Sequence, residues 1–229
     1  MTWPRAAQPT SRRQPLSREL IVDAALEVLG KGNLESLSMR RVAQVLDTGA
    51  ASLYAHVGNK EELHELMLDR LLGTIPLPEP DPSRWQEQLR EVCRAQLAVL
   101  TRYPGIARVG METTVPTGPN ALRHGETMLA LLRAGGLSDR AAALAFDTLS
   151  LWGAAFAVEV GAAESAASDV ERRSAQIGAF MAEHAEEYPN LLRVGPVLGT
   201  TPTAERFEFG LTVFLASLPH LTDSRASGA

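Results

Sequence analysis

Apolar residues recur at helical spacing along most of this chain. From Ser17, a good helix N-cap, apolar positions between Ile21 and Leu29 fall three and four residues apart, and the GKGN sequence at 30–33 ends the pattern. A second helix of the same kind starts at Ser38. No stretch competes with this reading as a strand, so the pattern predicts an all-α protein.

Two more helices follow closely. A helix of about seven residues is predicted from Ala50 to His56, after the short turn DTG at 47–49. Asn59 and Glu62 then form an N-x-x-E arrangement that resembles a capping box, from which a fourth helix continues. Two helices joined by three or four residues, the second of them short, have the geometry of a helix-turn-helix. The sequence therefore predicts a DNA-binding unit near the N-terminus, at residues 17–73. We call it the reading unit, and we call its short third helix the reading helix.

Proline interrupts the helical pattern after the fourth helix. The segment TIPLPEPDPS carries Pro76, Pro78, Pro80 and Pro82, which a helix interior does not tolerate. We therefore predict a linker between two domains at this point. The predicted organisation is a disordered arm at 1–16, a helix-turn-helix domain at 17–73, a Pro-rich linker at 74–83, a larger helical domain at 84–220 and a disordered tail at 221–229.

Six helices are predicted beyond the linker. The first begins at a capping box formed by Ser83 and Gln86, and apolar residues from Leu89 to Leu100 line one of its faces. The segment at 138–163 is apolar nearly all round, as a helix buried on two sides should be. The remaining helices are predicted at 104–113, 120–134, 138–163, 168–184 and 203–218.

Composition and charge narrow the class of protein. Apolar residues make up 45% and charged residues 21% of the chain, which is ordinary for a soluble globular protein. The net charge of −5 is unevenly spread, because residues 1–60 carry eight Lys or Arg against five Asp or Glu, which leaves −8 for the rest. The single cysteine, Cys93, favours a reducing compartment, and no signal peptide or apolar membrane span is evident. We therefore predict a cytoplasmic protein with a basic N-terminal part and an acidic body.

The predicted reading helix has a tip of small residues. The run GAAS at 49–52 would let a helix N-terminus approach base edges closely. Asp47 precedes it where the chain must turn sharply, and Asp tolerates the left-handed conformation better than most residues other than glycine. Leu53 is predicted to anchor the helix in the core.

These residues resemble the TetR family of one-component transcriptional regulators. The resemblance covers about 50 residues, roughly 17–70, through LSMRRVAQVLDTGAASLYAHVGNKEEL, and L-Y-x-H-V-x-N-K-E-x-L is its most specific part. It implies a homodimeric repressor that binds a pseudo-palindromic double-stranded DNA operator and is released by a small hydrophobic or amphipathic inducer. Two departures are Asp47, where the family usually has Gly, and Gly49, which replaces a commoner Ser.

The resemblance also assigns contacts to DNA. It implies that Tyr54, His56 and Lys60 contact backbone phosphates and that the Ser38 hydroxyl contacts another. Arg40 matches a position that reads a guanine, whose O6 and N7 an Arg fork can bond together. The predicted DNA-binding residues are Ser38, Arg40, Arg41, Thr48, Gly49, Ala50, Ala51, Ser52, Tyr54, His56 and Lys60.

A dimer is expected on physical grounds, because one reading unit makes few phosphate contacts and a two-fold pair doubles them. The resemblance places the interface on the helices at 138–163 and 203–218. A purely internal core role for the helix at 138–163 is the alternative. The predicted interface residues are Ala142, Ala145, Phe146, Leu149, Gly153, Phe156, Phe207, Leu211 and Phe214.

The resemblance implies a small-molecule pocket among the first four helices beyond the linker. Polar groups on otherwise apolar faces are its candidates, although for each of them a satisfied core group is the preferred interpretation. A ligand there would tilt the fourth helix and move two reading helices off a spacing of roughly 34 Å, one turn of duplex. The predicted ligand-binding residues are Gln96, His124, Met128, Asp147 and Trp152.

Other function classes find less support. The five histidines are scattered, and no G-x-S-x-G, phosphate-binding glycine loop or H-E-x-x-H occurs, so we predict no catalytic residue, metal site or cofactor. His64 with Glu61 and Glu65 has the spacing of metal ligands on a helix, but a solvated charged face is the preferred interpretation. A helical interaction module without DNA binding, or an activator of the same family, remains the alternative.

Overall fold

The computed structural model describes residues 15–103, 105–113, 117–165 and 167–221. Among these residues the structure has eleven α-helices and no strand, which confirms the all-α prediction. The predicted arm and tail lie outside the described residues, apart from residues 15, 16 and 221. The helices are α1 Arg18–Gly30, α2 Met39–Val45, α3 Ala50–Leu53, α4 Lys60–Leu72, α5 Trp85–Arg102, α6 Ile106–Glu112, α7 Pro119–Ala134, α8 Asp139–Ser165, α9 Ala167–Glu183, α10 Pro189–Thr200 and α11 Thr203–Ser217, followed by a 3-10 turn at Leu218–Leu221.

Side-chain caps fix the starts of three N-terminal helices. Ser17 and Ser38 accept hydrogen bonds from backbone N–H groups in the first turns of α1 and α2, and the Asn59 side chain does the same for α4. Glu62 Oε2 accepts from the backbone N of Gly58 at 2.7 Å, one residue before the cap itself. The three predicted N-caps are therefore confirmed, and the capping box of α4 reaches one residue further back than expected.

The reading helix is shorter than the sequence predicts. α3 has four residues, and residues 54–56 form turns rather than helix. The backbone N–H groups of His56 and Val57 both donate to the Leu53 carbonyl, at 2.9 and 3.0 Å, so the last turn tightens. Leu53 and Val57 are fully buried, and they anchor both ends of this turn in the core.

The core of the reading unit continues into the C-terminal helices. Buried side chains of α1, α2 and α4 pack in one cluster with Leu100 of α5, Ile106 and Val109 of α6 and Ala157 of α8. A second cluster is formed by α5, α7, α8 and α11, and it contains Met128, Leu149 and Leu211 among others. The reading unit therefore rests directly on the larger domain, so a shift of α6 or α8 is transmitted to it by packing.

The Pro-rich linker is held against α5. The buried side chain of Gln88 donates to the carbonyl of Glu79 at 2.7 Å and accepts from the backbone N of Asp81 at 2.9 Å. Ile75, at the start of the linker, is also buried. Hydrogen bonding of both Gln88 groups satisfies a buried amide and fixes the path of the linker.

The capping box predicted for α5 does not form. Ser83 donates its hydroxyl to Asp81 Oδ1 at 2.7 Å, within a turn that precedes the helix. Gln86 instead donates to the carbonyl of Leu215 in α11 at 3.0 Å. Both side chains find partners outside the first turn of α5, so that prediction is wrong.

One helix was not predicted. α10 contains Gly195, Pro196 and Gly199, which read as helix breakers, and none of its residues is buried. Its apolar side chains face outward, as do two on α9. The most exposed apolar residues of this pair of helices are Ile177, Phe180, Leu191, Val197 and Leu198.

α8 has the length and composition of a membrane span. The stretch Asp139–Ala162 is the one such helix among the described residues. It packs against α5, α6 and α7, and its Ala142, Leu149 and Ala157 are buried in the two core clusters. We interpret it as the central helix of the core.

Candidate nucleic-acid interface

The tip of α3 is uncovered by the protein. Asp47 has a φ of 49° and is the one residue other than glycine with positive φ among those described, as its position in the turn predicts. Gly49 is the N-cap of α3, and a Cβ built there would meet nothing within 4 Å. Ala51 and Ser52 are exposed, while Thr48 and Ala50 are half-buried. A small, open helix N-terminus is thus presented to solvent.

The residues predicted to hold phosphates follow this tip directly. Tyr54 is 52% exposed at the end of α3, although a tyrosine in a small domain is commonly half-buried. His56 and Lys60 are half-buried, in the turn after α3 and at the first position of α4. All three are accessible within seven residues of chain, so none is sequestered in the core.

The N-cap and two arginines of α2 complete the predicted surface. The Ser38 hydroxyl accepts from the backbone N of Arg41 at 3.3 Å, which leaves its own hydrogen free to donate to a phosphate. Arg40 and Arg41 are exposed, and neither forms an ion pair with another described residue. The arrangement provides two guanidinium groups without an ion-pair partner among the described residues, on the helix that packs against α3.

Arg18 of α1 stabilises the backbone beside this surface. Its Nε donates to the carbonyl of His56 at 3.1 Å, and its guanidinium pairs with Glu62 at 3.2 Å. These partners lie 38 and 44 residues away along the chain, so helical periodicity gave no signal for the contact. Arg18 therefore ties α1 to the connection between α3 and α4.

A second unpredicted contact joins α4 to α7. Asp69 accepts from the backbone N–H groups of Asn120 and Ala121, at 2.9 and 2.8 Å, and from the Asn120 side chain at 2.9 Å. Gly118 is the N-cap of α7 and has no side chain to offer, so Asp69 caps α7 from another helix. A Cβ at Gly118 would lie 2.1 Å from Asp69 Oδ1, so the contact requires glycine there.

The predicted ligand-binding residues are only partly brought together. His124 and Met128 are buried on α7, and Gln96 of α5 lies near Gly153 of α8. Trp152 stacks on Phe207 with ring centroids 4.7 Å apart and also touches Phe156. Asp147, by contrast, is exposed on α8.

His124 is an unsatisfied polar group in the core. Its side chain is 5% exposed, and its Nε2 has no hydrogen-bond partner. Burial lowers the pKa of His124 to about 4, so the imidazole is neutral at pH 7. A buried nitrogen of this kind is a ready partner for a ligand group that hydrogen-bonds.

Burial of the His124 imidazole makes the free energy of unfolding depend on pH. Between pH 6.5 and about 4 the unfolded chain binds a proton at His124 that the folded chain does not, so stability falls as the pH falls through this window. The difference amounts to roughly 3 kcal/mol. Urea unfolding at pH 7 and pH 4 should therefore show a smaller acid loss for His124→Gln than for wild type. His220→Gln, at an exposed position, is the matched control and should follow wild type.

The predicted dimer residues mostly face inward. Six of the nine, Ala142, Ala145, Leu149, Phe156, Phe207 and Leu211, are buried in the second cluster, and Phe146, Gly153 and Phe214 are partly buried. For the side chains of α8 the placement fits the internal-core alternative. The large exposed apolar residues of the same two helices are Leu144 and Leu151 on α8 and Phe209 and Val213 on α11.

Comparison with known proteins identifies both parts of the chain. Residues 21–67 match the model described as "Bacterial regulatory proteins, tetR family", and residues 77–221 match "Tetracyclin repressor-like, C-terminal domain". The HTH-type transcriptional repressor DrrR1 of Streptomyces coeruleorubidus is 35% identical over 145 residues, which are 61% of this chain and 52% of DrrR1. The chain thus spans about half the length of this curated relative.

Solved structures extend the likeness to nearly the whole chain. Apo ActR from Streptomyces coelicolor is 37% identical, with a TM-score of 0.83 over 93% of this chain and 99% of ActR. ActR in complex with actinorhodin gives 37% identity and a TM-score of 0.82 over 92% of this chain and 100% of that one. The resemblance seen in the helix-turn-helix therefore extends through the helical body, and the chain belongs to the TetR family of DNA-binding transcriptional regulators.

Proposed function

We propose that this protein is a homodimeric transcriptional repressor that binds an operator through α3 and is released by a small molecule. The observation that carries the proposal is the uncovered N-terminus of α3, whose small residues are flanked by accessible Tyr54, His56 and Lys60. A helix end of this shape fits the major groove, where base edges are read at short range.

Different side chains contact the phosphates and the bases. Tyr54, His56, Lys60 and the Ser38 hydroxyl offer donors to backbone oxygens, which position the protein without reading sequence. Arg40 has the free fork that pairs with guanine. Ala50 and Ala51 offer no hydrogen bond, so sequence preference rests on Arg40, on apolar contact with thymine methyl groups and on groove shape.

The ligand is assigned to the C-terminal helices. ActR, the similar protein described above, has been solved with actinorhodin, and this supports a ligand site in the same fold here. Neutral, unpartnered His124 beside Met128 supplies one hydrogen-bonding group in an apolar setting. The inducer is a hydrophobic or amphipathic small molecule.

α4 is the element that couples the two functions. Its first residue is Lys60, at the DNA surface, and Asp69 near its other end caps α7. A ligand that displaces α7 therefore pulls on the helix that supports α3. In a dimer, this changes the distance between the two reading helices and weakens their joint fit to the duplex.

The dimer is assigned to the outer faces of α8 and α11. Leu144 and Leu151 lie two turns apart on one face of α8, and Phe209 and Val213 lie one turn apart on α11. Each is more than half exposed in the single chain. Exposed apolar side chains of this kind are stabilised by burial against a second copy, and they lie on the two helices that the family resemblance implies.

Substitutions at Arg40 and Lys60 distinguish a contact to a base from a contact to a phosphate. Arg40→Ala should relax operator preference by about 1–3 kcal/mol at the base pair it reads, whereas Lys60→Ala should weaken binding to every sequence and reduce the salt slope by about one. Titrations of operator and unrelated duplexes at several salt concentrations measure both effects. Equal loss on all sequences from Arg40→Ala would contradict its role.

Selection of bound fragments from the source genome tests the proposal as a whole. Enrichment of fragments with two half-sites about one or two helical turns apart supports it. No shift of any enriched fragment would favour the helical interaction module, and raised rather than lowered transcription from such a fragment would favour an activator.

A further inference from the structure

A cleft lies beside the packed contact between the reading unit and the C-terminal domain. It has a volume of about 500 Å³ and is walled by the α1–α2 loop, the first turns of α4, the end of α5, the start of α6 and the second half of α8. None of Gln96, His124, Met128, Asp147 and Trp152 lines it. The cleft is therefore distinct from the ligand site proposed among the C-terminal helices.

The floor of the cleft is apolar. Leu100 and Ala157 are buried members of the first core cluster, and both contribute to its lining. Leu34 of the α1–α2 loop also lines the cleft, and Gly105 approaches it with a φ of 89° and an ideal Cβ position only 2.8 Å from the Leu34 Cβ. This close approach joins the reading unit to the domain above it, so an occupant of the cleft touches both.

The rim carries more positive than negative charge. Lys60 and Arg108 line the cleft together with one acid, Glu35. Among the described residues, neither Lys60 nor Arg108 has a carboxylate within ion-pair distance. Two uncompensated cations over an apolar floor are the features expected for binding an anion that has an apolar body.

His64 adds a further polar group to the lining of the cleft. The sequence suggested a solvated charged face here, but the side chain is half-buried, lines the cleft and has a buried Nε2 without a partner. Burial, and secondarily the Lys60 charge, lowers the pKa of His64, so the ring is mainly neutral at pH 7. A neutral imidazole can donate to or accept from a ligand oxygen without adding charge.

We propose that this cleft binds an amphipathic monocarboxylate, with its alkyl or aryl body against Leu34, Leu100 and Ala157 and its carboxylate on Arg108 and Lys60. The volume suits a small organic acid of this kind. The inference rests on the proposed function in one respect, because Lys60 is also a phosphate contact there. A carboxylate that engages the Lys60 ammonium competes with the DNA backbone for it, so occupancy weakens DNA binding at every sequence.

Calorimetric titration of the whole 229-residue chain with decanoate and with 2-naphthoate tests the site. Decanoate is used below its micellar range, with decanol as the uncharged control, and the two acids distinguish an alkyl from an aryl occupant. At least one acid should bind, and decanol should bind at least about tenfold more weakly. Absence of binding by both acids, or equal binding of decanol, overturns the proposal.

Three variants locate the site. Arg108→Gln should weaken acid binding about tenfold, while Arg193→Gln, at an exposed position of α10, should not change it. Gly161→Leu adds a side chain at a cleft position where a Cβ meets nothing within 4 Å, so it should block binding without straining α8. Wild-type affinity in both Arg108→Gln and Gly161→Leu places the acid elsewhere and refutes the assignment.

DNA titrations separate this inference from the proposed function. With a selected genomic fragment, the bound acid should weaken DNA binding by wild type and have no effect on Lys60→Gln. If no fragment is bound at all, the proposed function fails while acid binding to the cleft stands or falls by calorimetry. If fragments are bound and the acid binds without weakening them, the competition for Lys60 is disproved.

Discussion

Phe209→Glu should convert the protein into a folded monomer that no longer binds its operator stably. Phe209 is 72% exposed in the single chain, so the charge disturbs little of its own core but opposes burial against a second copy. Loss of one reading unit halves the phosphate contacts, and operator affinity should fall by about 10²- to 10³-fold at physiological salt. Light scattering measures the mass, and fluorescence anisotropy measures the affinity.

Two matched substitutions define the interface. Leu122→Glu places the same charge on α7 at a similarly exposed position, and it should leave both mass and affinity unchanged. Leu198→Glu places the same charge at an exposed position of α10, and it should likewise leave mass and affinity unchanged. If Leu198→Glu were monomeric while Phe209→Glu remained a dimer, the interface would lie on the apolar face of α9 and α10 and not on the faces of α8 and α11.

Asp69→Ala should lower the free energy of unfolding by about 2–3 kcal/mol. The substitution removes three hydrogen bonds at once and leaves two backbone N–H groups at the start of α7 without their carboxylate cap. Because these bonds join α4 to α7, the same variant should also respond less to inducer than wild type does. Urea titration combined with alkylation of Cys93 measures unfolding, because the buried thiol becomes reactive only when the chain unfolds. In the folded chain, burial raises the pKa of this thiol to about 12.

Asp23→Ala is the control for a surface contact. Asp23 pairs with Arg70 of α4 at 3.2 Å, but both side chains are about half exposed, so its loss should cost less than about 1 kcal/mol. Gly118→Ala should reproduce much of the Asp69 effect, since its Cβ occupies the position of the carboxylate. Strictly additive effects of Asp69→Ala and Gly118→Ala would contradict a shared contact.

Local pattern predicted the N-terminal unit well. The starts of α1, α2 and α4 follow from side chains that hydrogen-bond within their own first turn, and the left-handed Asp47 follows from the sharp turn beside it. Where the deciding contact is distant, the prediction failed. Ser83 and Gln86 have the spacing of a capping box, yet their partners are Asp81 and Leu215.

The helical body shows the same limit. Periodicity located α8 and α11 and found their apolar residues, but it did not tell which apolar face meets the chain's own core and which is left exposed. Phe207 and Phe209 are two residues apart, and one is 2% and the other 72% exposed. α10 was missed because glycine and proline lower helix propensity locally, although the chain context still forms the helix.

The sequence by itself determined that the protein is helical, where the reading unit lies and which of its side chains are suited to DNA, because these depend on spacings of a few residues. The tertiary structure decided the cap of α7 by Asp69, the brace of Arg18 on His56, the inward packing of the predicted dimer residues and the cleft beneath Lys60. Each joins residues at least 38 positions apart or depends on how several helices pack together. Such contacts are set by packing of whole helices, which a local pattern of apolar and polar residues does not specify.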